Sequence, residues 1–142
     1  MQHVCCIFNL AAIYRAPIFQ LMDRELNCSF YIGDRIATPM KTMDYTSLKG
    51  FKSVLKYIPL LANVYWQRGA VKLIFKPYNR YIITGEIRCL STWLILVLAI
   101  VFRKKVYLWS HGWYGREGII KRIIKTIFFK LAHHVLLYGD YA

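Results

Sequence analysis

The sequence predicts an α/β domain in which helices cover both faces of a mostly parallel β-sheet. Short apolar runs that end in glycine or polar turns alternate with helical patterns along nearly the whole chain, as in strand–helix–strand units. The first run is apolar throughout except for Asn9, which is typical of a strand buried on both faces of a parallel sheet. A length of 142 residues suits one domain, so we expect residues 1–142 to share one core.

The N-terminal part of the chain predicts one strand–helix–strand unit and then a loop. Residues 4–10 and 28–32 form its strands, and Pro17 suits the first position of the helix between them. The apolar positions of that helix fall near one face and are Ile18, Leu21, Met22 and Leu26. Residues 35–50 have no clear period and predict a loop.

The middle of the chain predicts a short strand, a helix and another strand. Residues 52–57 form the first strand, and residues 64–76 form the helix. Residues 81–84 form the second strand, which Gly85 and Glu86 close. Glu86 either binds a ligand hydroxyl at this strand end or is a solvated turn residue.

A strongly apolar helix follows. Ser91 or Thr92 can cap it, and residues 93–102 are apolar on every side, so we expect neighbouring elements to cover several of its sides. A membrane-spanning helix needs about 20 apolar residues. This run is roughly half that length and therefore predicts a buried helix.

The last part predicts a strand at residues 106–110, a helix at 119–132 and a strand at 135–138. The loop before that helix holds the strongest candidates for a site, because glycine-rich turns leading into helix N-termini bind anions at the carboxyl ends of strands. His111, just past the strand end, either handles a proton or polar contact there or is structural. The loop glycines are Gly112, Gly115 and Gly118.

The glycine spacing does not match G-x-G-x-x-G, the dinucleotide-binding pattern. The loop either binds phosphate, with Arg116 and Lys121 as counter-charges, or is a flexible turn.

The helix from Ile119 has two predicted faces. The expected core stripe is Ile120, Ile123, Ile124, Ile127 and Leu131. The opposite face carries Lys121, Arg122 and Lys125, with Phe129 projecting among them. A basic face with an aromatic residue is used by helices that lie on membrane surfaces. The alternative is a solvated basic face with Phe129 under a neighbouring loop.

Charge and composition indicate which classes of partner and which cellular compartment to expect. The net charge of +13, from 20 basic and 7 acidic residues, favours a polyanionic partner. No RNA-binding aromatic signature is present, so we do not expect nucleic acid. The four cysteines form no C-x-x-C pair and resemble buried hydrophobes of a reducing compartment. The N-terminus lacks the features of a signal peptide, so we expect a cytoplasmic protein, peripheral on the inner face of the membrane in the membrane-surface interpretation.

Several kinds of site are not indicated. The acidic residues form no pair at a spacing useful for glycoside hydrolysis, and no Asp-x-Asp, G-x-S-x-G or G-x-x-x-x-G-K-[ST] occurs. His133 and His134 are adjacent, so on a helix they point in different directions. We therefore expect no metal and no cofactor.

Four segments carry a resemblance to a known family, namely residues 14–19, 81–86, 108–117 and 136–142. They resemble the N-terminal half of bacterial glycosyltransferases of the group 1 / family 4 type, which have the GT-B architecture. The resemblance implies a single Rossmann-like domain on the acceptor side of a two-domain cleft. It also implies retaining transfer of a sugar from a nucleotide-sugar to a sugar or lipid-linked acceptor, without a metal.

By position, His111 would be the catalytic histidine near the transferred sugar. Arg15, Glu86, Gly112 and Arg116 would line the acceptor side. The family's C-terminal donor domain and its glutamate pair are absent from these residues, so we expect this chain alone to be inactive. The alternative is a non-catalytic fragment or a basic membrane-surface binding module.

Overall fold

A computed structural model describes residues 3–36, 40–110 and 118–137. The strands are β1 Val4–Phe8, β2 Cys28–Gly33, β3 Phe51–Pro59, β4 Tyr65–Arg68, β5 Arg80–Thr84, β6 Lys105–Ser110 and β7 His134–Leu137. The helices are α1 Ala16–Glu25, α2 Leu90–Val101 and α3 Ile119–Leu131. Short 3-10 helices lie at Ile13–Arg15, Tyr45–Ser47 and Val71–Phe75.

The described strands form one seven-stranded sheet in the order β4-β3-β2-β1-β5-β6-β7. Strands β3 and β4 pair antiparallel, and the other neighbouring pairs in this sheet are parallel. Strand β1 pairs with β2 on one side and with β5 on the other, so the winding of the chain reverses at this point. The chain is a Rossmann-like α/β domain, which confirms the predicted fold class.

The side chains of β1 alternate between two cores. Cys5 and Ile7 join the core beneath α2 and α3, whereas Cys6 and Phe8 join the core beneath α1. Phe19 of α1 stacks on Phe8 with ring centroids 4.7 Å apart and is fully buried. Burying one such aromatic side chain stabilises the fold by about 1.5–3 kcal/mol. Helices therefore cover both faces of the sheet, as the continuous apolar run predicts.

The helix predicted at residues 64–76 is wrong. Residues 65–68 form β4, which pairs antiparallel with β3 through a turn where Ala62 and Asn63 have positive φ. Gly69, at φ 91°, then turns the chain into the 3-10 helix. Tyr65 and Trp66 favour strands, and the pairing they make with β3 outweighs the apolar period of the segment.

The three helices leave many of their apolar side chains exposed. In α1, Phe19 is buried and Met22 packs partly buried on the core, while Ile18, Leu21 and Leu26 are exposed. In the apolar run of α2, Ile95, Leu96 and Ala99 are buried, whereas the side chains that point away from the sheet are exposed: Leu94, Val97, Ile100 and Val101. The helix also begins one residue before the predicted caps, at Leu90, so the buried Ser91 and Thr92 lie in its first turn.

The largest correction concerns α3. Four residues of its predicted core stripe are exposed, namely Ile120, Ile123, Ile124 and Ile127, whereas the fifth, Leu131, is partly buried against the core. Lys125, predicted on the solvent face, is 5% exposed, and Phe128 beside it is fully buried against Trp93. Phe129 is half-buried and packs against the core rather than projecting into solvent. The helix is rotated relative to the prediction because one large aromatic ring fills the space between α2 and the sheet.

Within residues 3–36, 40–110 and 118–137, no helix combines the length and apolar character needed to cross a bilayer. The four cysteines are buried and unpaired with one another.

Buried thiol and phenol groups should make the fold less stable at alkaline pH. Burial raises the pKa of the Cys5 thiol and of the Tyr65 and Tyr81 hydroxyls above their ordinary values. Their contribution to stability is therefore complete below the pKa values of the unfolded chain, about 8.5 for thiols and 10 for phenols, and is lost as pH rises above them.

We expect the free energy of unfolding, measured by urea titration, to fall above about pH 8.5, by about 1.4 kcal/mol per pH unit for each buried thiol or phenol that ionises on unfolding. The Cys5→Ala variant should show a shallower fall above pH 8.5, because one proton fewer is released. A level stability up to pH 10.5 would contradict this assignment.

Candidate functional site

A cleft opens at the carboxyl ends of the parallel strands, where the winding of the chain reverses. We call it the carboxyl-edge cleft; its volume is about 220 Å³. In open α/β sheets, ligands bind in this position. Its walls come from the carboxyl ends of β1, β5 and β6, the 3-10 helix before α1, the loop residue Met40 and α3. The lining residues are Asn9, Tyr14, Arg15, Met40, Thr84, Gly85, Glu86, Ile87, Trp109, Ser110 and Lys125.

The floor of the cleft is held by hydrogen bonds between strand ends. The backbone N–H of Asn9 donates to the Thr84 hydroxyl at 3.1 Å, across the gap between β1 and β5. The N–H of Gly85 donates to the carbonyl of Trp109 at 2.8 Å. A Cβ on Gly85 would lie 2.9 Å from the Cβ of Ser110, so a glycine is needed for β5 and β6 to approach this closely.

Arg15 forms one wall. It is the last residue of the 3-10 helix Ile13–Arg15 and the N-cap of α1, and its guanidinium carbon is 5.2 Å from the ring centroid of Trp109 and 5.4 Å from that of Tyr14. Trp109 packs in turn on Phe8 and Phe19. A cation held over two aromatic rings is positioned by them, so the core fixes where Arg15 lies.

Glu86 also lines the carboxyl-edge cleft. Its Oε1 accepts a hydrogen bond from the backbone N–H of Arg88 at 3.2 Å, and the side chain is half-buried. An ionised carboxylate can accept several hydrogen bonds, so Glu86 retains capacity for hydroxyl donors of a ligand.

Lys125 is the cleft residue whose position differs from the sequence prediction. It lies within α3, yet it is buried and lines the carboxyl-edge cleft. Phe128, three residues later and on the same side of the helix, is buried with it. That spacing is the signal that could have indicated which side of α3 faces the sheet.

The structure brings together part of the predicted site. Arg15 and Glu86 share the carboxyl-edge cleft, and Lys121 and Arg122 are exposed on α3. His111, Gly112 and Arg116 lie outside the described residues, as does Gly115. His111 directly follows Ser110, a cleft residue, in the sequence. Asn9, Thr84 and Trp109 were not singled out as site residues from the sequence, although each stands at the end of an apolar run.

Comparison with known proteins adds no relative: no family model, no curated protein and no solved structure matches the chain. In the described part of the chain, no three histidine, cysteine, aspartate or glutamate side chains are grouped so that they could hold a metal ion.

The chemistry of the carboxyl-edge cleft suits a small polar, partly anionic ligand. Asn9, Thr84 and Ser110 are side chains with donors and acceptors for hydroxyl groups. Trp109 and Tyr14 add apolar ring surface, Arg15 and Lys125 add positive charge, and Glu86 is the one carboxylate in this lining. A few polar groups set in an aromatic wall is the usual composition of small-molecule sites.

Gly85 tests how the cleft floor is built. Gly85→Ser should lower the free energy of unfolding by about 1–3 kcal/mol, because the new Cβ forces β5 and β6 apart. Gly118→Ser is the matched control, since nothing lies within 4 Å of a Cβ there. Serine also suits the N-cap of α3, so the control should change stability by less than about 0.5 kcal/mol. Urea denaturation measures both, and equal losses would contradict the close approach.

Proposed function

We propose that this chain is the acceptor-binding domain of a retaining glycosyltransferase, and that the carboxyl-edge cleft holds the acceptor. One observation carries the proposal. Arg15 and Glu86, which belong to two separate segments resembling the group 1 / family 4 enzymes, line the same cleft where the sheet winding reverses. Such a cleft is where α/β sheets bind ligands, and its side chains suit a sugar.

The acceptor sugar is bound by complementary polar and aromatic groups. Glu86 accepts a hydrogen bond from the acceptor hydroxyl, and Asn9, Thr84 and Ser110 bind neighbouring hydroxyls. Apolar C–H groups of the sugar ring pack on Trp109. Arg15 and Lys125 attract the phosphate of a lipid-linked acceptor, because a guanidinium or ammonium group makes strong charge-assisted hydrogen bonds to phosphate.

The reaction joins this acceptor to a sugar from a nucleotide-sugar. The acceptor oxygen forms a bond to the anomeric carbon, the bond from that carbon to the diphosphate breaks, and the products are the glycoside, a nucleoside diphosphate and a proton. His111 contacts the transferred sugar in this proposal. The nucleotide-sugar is bound by a second domain of the kind that the resemblance implies.

Acceptor binding tests the proposal through the two cleft residues that the sequence identifies. We expect lipid-linked saccharides to bind the chain, and Glu86→Gln and Arg15→Gln each to weaken binding by about tenfold, since a hydrogen bond to a charged group contributes about 1.5–3 kcal/mol. The exposed ion pair Arg24–Glu25 supplies matched controls, because Glu25→Gln and Arg24→Gln make the same chemical changes away from the cleft. Isothermal titration calorimetry measures all five proteins.

The His111→Ala variant distinguishes acceptor binding, measured by calorimetry, from sugar transfer, measured by a transfer assay. It should keep acceptor affinity within about twofold and abolish transfer when a donor domain is supplied. Saccharide binding that Glu86→Gln and Glu25→Gln weaken equally would overturn the assignment of the carboxyl-edge cleft. Binding that survives in His111→Ala without transfer in the unaltered protein would favour the non-catalytic alternative.

We infer a second function from the exposed face of α3, namely peripheral binding to an anionic membrane surface. The row Ile119, Ile120, Ile123, Ile124 and Ile127 is exposed, and Lys121 and Arg122 lie beside it. Residues 119–131 contain no acidic side chain. An apolar face flanked by basic residues is what a helix needs to lie in the headgroup region, and basic residues favour the anionic inner leaflet. This role suits a cytoplasmic domain that meets lipid-linked acceptors.

Vesicle binding tests the α3 face. We expect the chain to sediment with phosphatidylglycerol vesicles. Ile120→Ser/Ile123→Ser should weaken that binding by about tenfold or more, because the membrane contact loses two exposed isoleucine side chains that would insert into the lipid. Ile18→Ser/Leu21→Ser is the matched control, since these exposed apolar residues lie on α1, on the other side of the sheet. Equal losses in the two double variants would contradict a specific role of α3.

A further inference from the structure

A second cleft lies on the side of the sheet that ends in strand β4, and we call it the basic cleft. Its volume is about 460 Å³, and it is formed by β2, β3, β4 and the 3-10 helix Val71–Phe75. It shares no lining residue with the carboxyl-edge cleft. A volume between about 300 and 1,000 Å³ is typical of small-molecule sites.

The basic cleft has an apolar floor and a cationic rim. Tyr31, Leu55 and Leu73 are buried and form the floor. Four exposed basic side chains and no acidic one line the rim: Lys56, Arg68, Lys72 and Lys76. Four positive charges around one cavity produce a strong local potential that favours an anion.

The backbone brings these charges together at a cost. The antiparallel register of β3 and β4 places Lys56 opposite Arg68, and like charges opposite each other destabilise a sheet. Gly69 has φ 91°, a conformation that favours glycine, and it turns the chain so that Lys72 returns to the same cavity as Arg68. A bound anion would offset the repulsion that this geometry creates.

The acidic side chains in the described part of the chain have hydrogen-bond or ion-pair partners outside the lining of the basic cleft, or on the backbone of Tyr57 next to it. Glu25 pairs with Arg24, and Glu86 accepts from the N–H of Arg88. The three described aspartates accept hydrogen bonds from backbone N–H groups of other residues: Asp23 from Lys49 and Gly50, Asp34 from Tyr57, and Asp44 from Thr46. None of these described carboxylates lines the basic cleft; Asp34 lies closest, hydrogen-bonded to the backbone of Leu55 and Tyr57 on either side of Lys56.

We propose that the basic cleft binds a phosphate-bearing ligand. The planar guanidinium of Arg68 can donate two parallel hydrogen bonds to one phosphate, and Lys56, Lys72 and Lys76 add point charges around it. Ser53, at the same cavity, supplies a hydroxyl. The apolar floor accepts the uncharged part of the ligand. The phosphate belongs either to a soluble phosphorylated compound or to a lipid headgroup, and the two sources share this chemistry.

Inorganic pyrophosphate is the probe for the test, with binding measured by isothermal titration calorimetry at low salt. Arg68→Gln/Lys72→Gln should weaken pyrophosphate binding by at least about tenfold, because two charge-assisted contacts are lost. Arg24→Gln/Lys49→Gln removes the same two kinds of charge from exposed positions outside the cleft, and it should leave affinity within about twofold. All four substituted residues are exposed, so both double variants should fold, which circular dichroism checks.

Three results would overturn the proposal: no pyrophosphate binding, unchanged binding in Arg68→Gln/Lys72→Gln, or an equal loss in both double variants. The last result would assign binding to the net charge of the whole chain. With the site established, competition identifies the source of the phosphate. Displacement of pyrophosphate by phosphatidylglycerol vesicles, but not by phosphatidylcholine vesicles, supports a lipid headgroup. Retention of pyrophosphate with both kinds of vesicle supports a soluble ligand.

Discussion

The burial of β1 on both faces is the constraint on which the rest of the structure depends. Cys5, Cys6, Ile7 and Phe8 are all within 1% of complete burial, so apolar side chains point from this strand to both sides of the sheet and each side must be covered. The chain covers them by winding outward from β1 through β2 and β3, and then from β5 through β6 and β7. The reversal leaves room beside the carboxyl end of β1. The carboxyl-edge cleft is therefore a consequence of how the central strand is buried.

The strands could be predicted because each one is a short apolar run with a turn at its end. Residues 65–68 were the exception among the strands, since the backbone reversal at Ala62, Asn63 and Gly69 depends on φ angles that the apolar period does not show. The helices were also located correctly at residues 16–25, 90–101 and 119–131, but not their orientation. Periodicity indicates which residues share a face, whereas packing volume decides which face meets the sheet. Phe19 and Phe128, one in each core, decided it in α1 and α3.

The same distinction explains how much of the candidate site was predictable. Arg15 and Glu86 stand next to strand or helix ends, where sequence position alone places a side chain near the ligand edge of the sheet. Lys125 lies in the middle of a helix, and its place in the cleft depends on the rotation of α3 about its own axis. The basic cleft could not be predicted from the sequence. Its charges converge through the β3–β4 hairpin, whereas the apolar period of residues 64–76 predicts a helix.

The two clefts differ in how far apart in the sequence the residues that form them are. The rim of the basic cleft comes from a hairpin and the turn that follows it, so its charges meet through contacts between near neighbours in the sequence. The floor of the carboxyl-edge cleft depends on Asn9 and Thr84, which are 75 residues apart. Loop-closure entropy opposes distant contacts more than local ones, and folding is slower when native contacts are distant. The hairpin rim can therefore assemble early in folding, whereas the carboxyl-edge cleft exists only after the two halves of the sheet have joined.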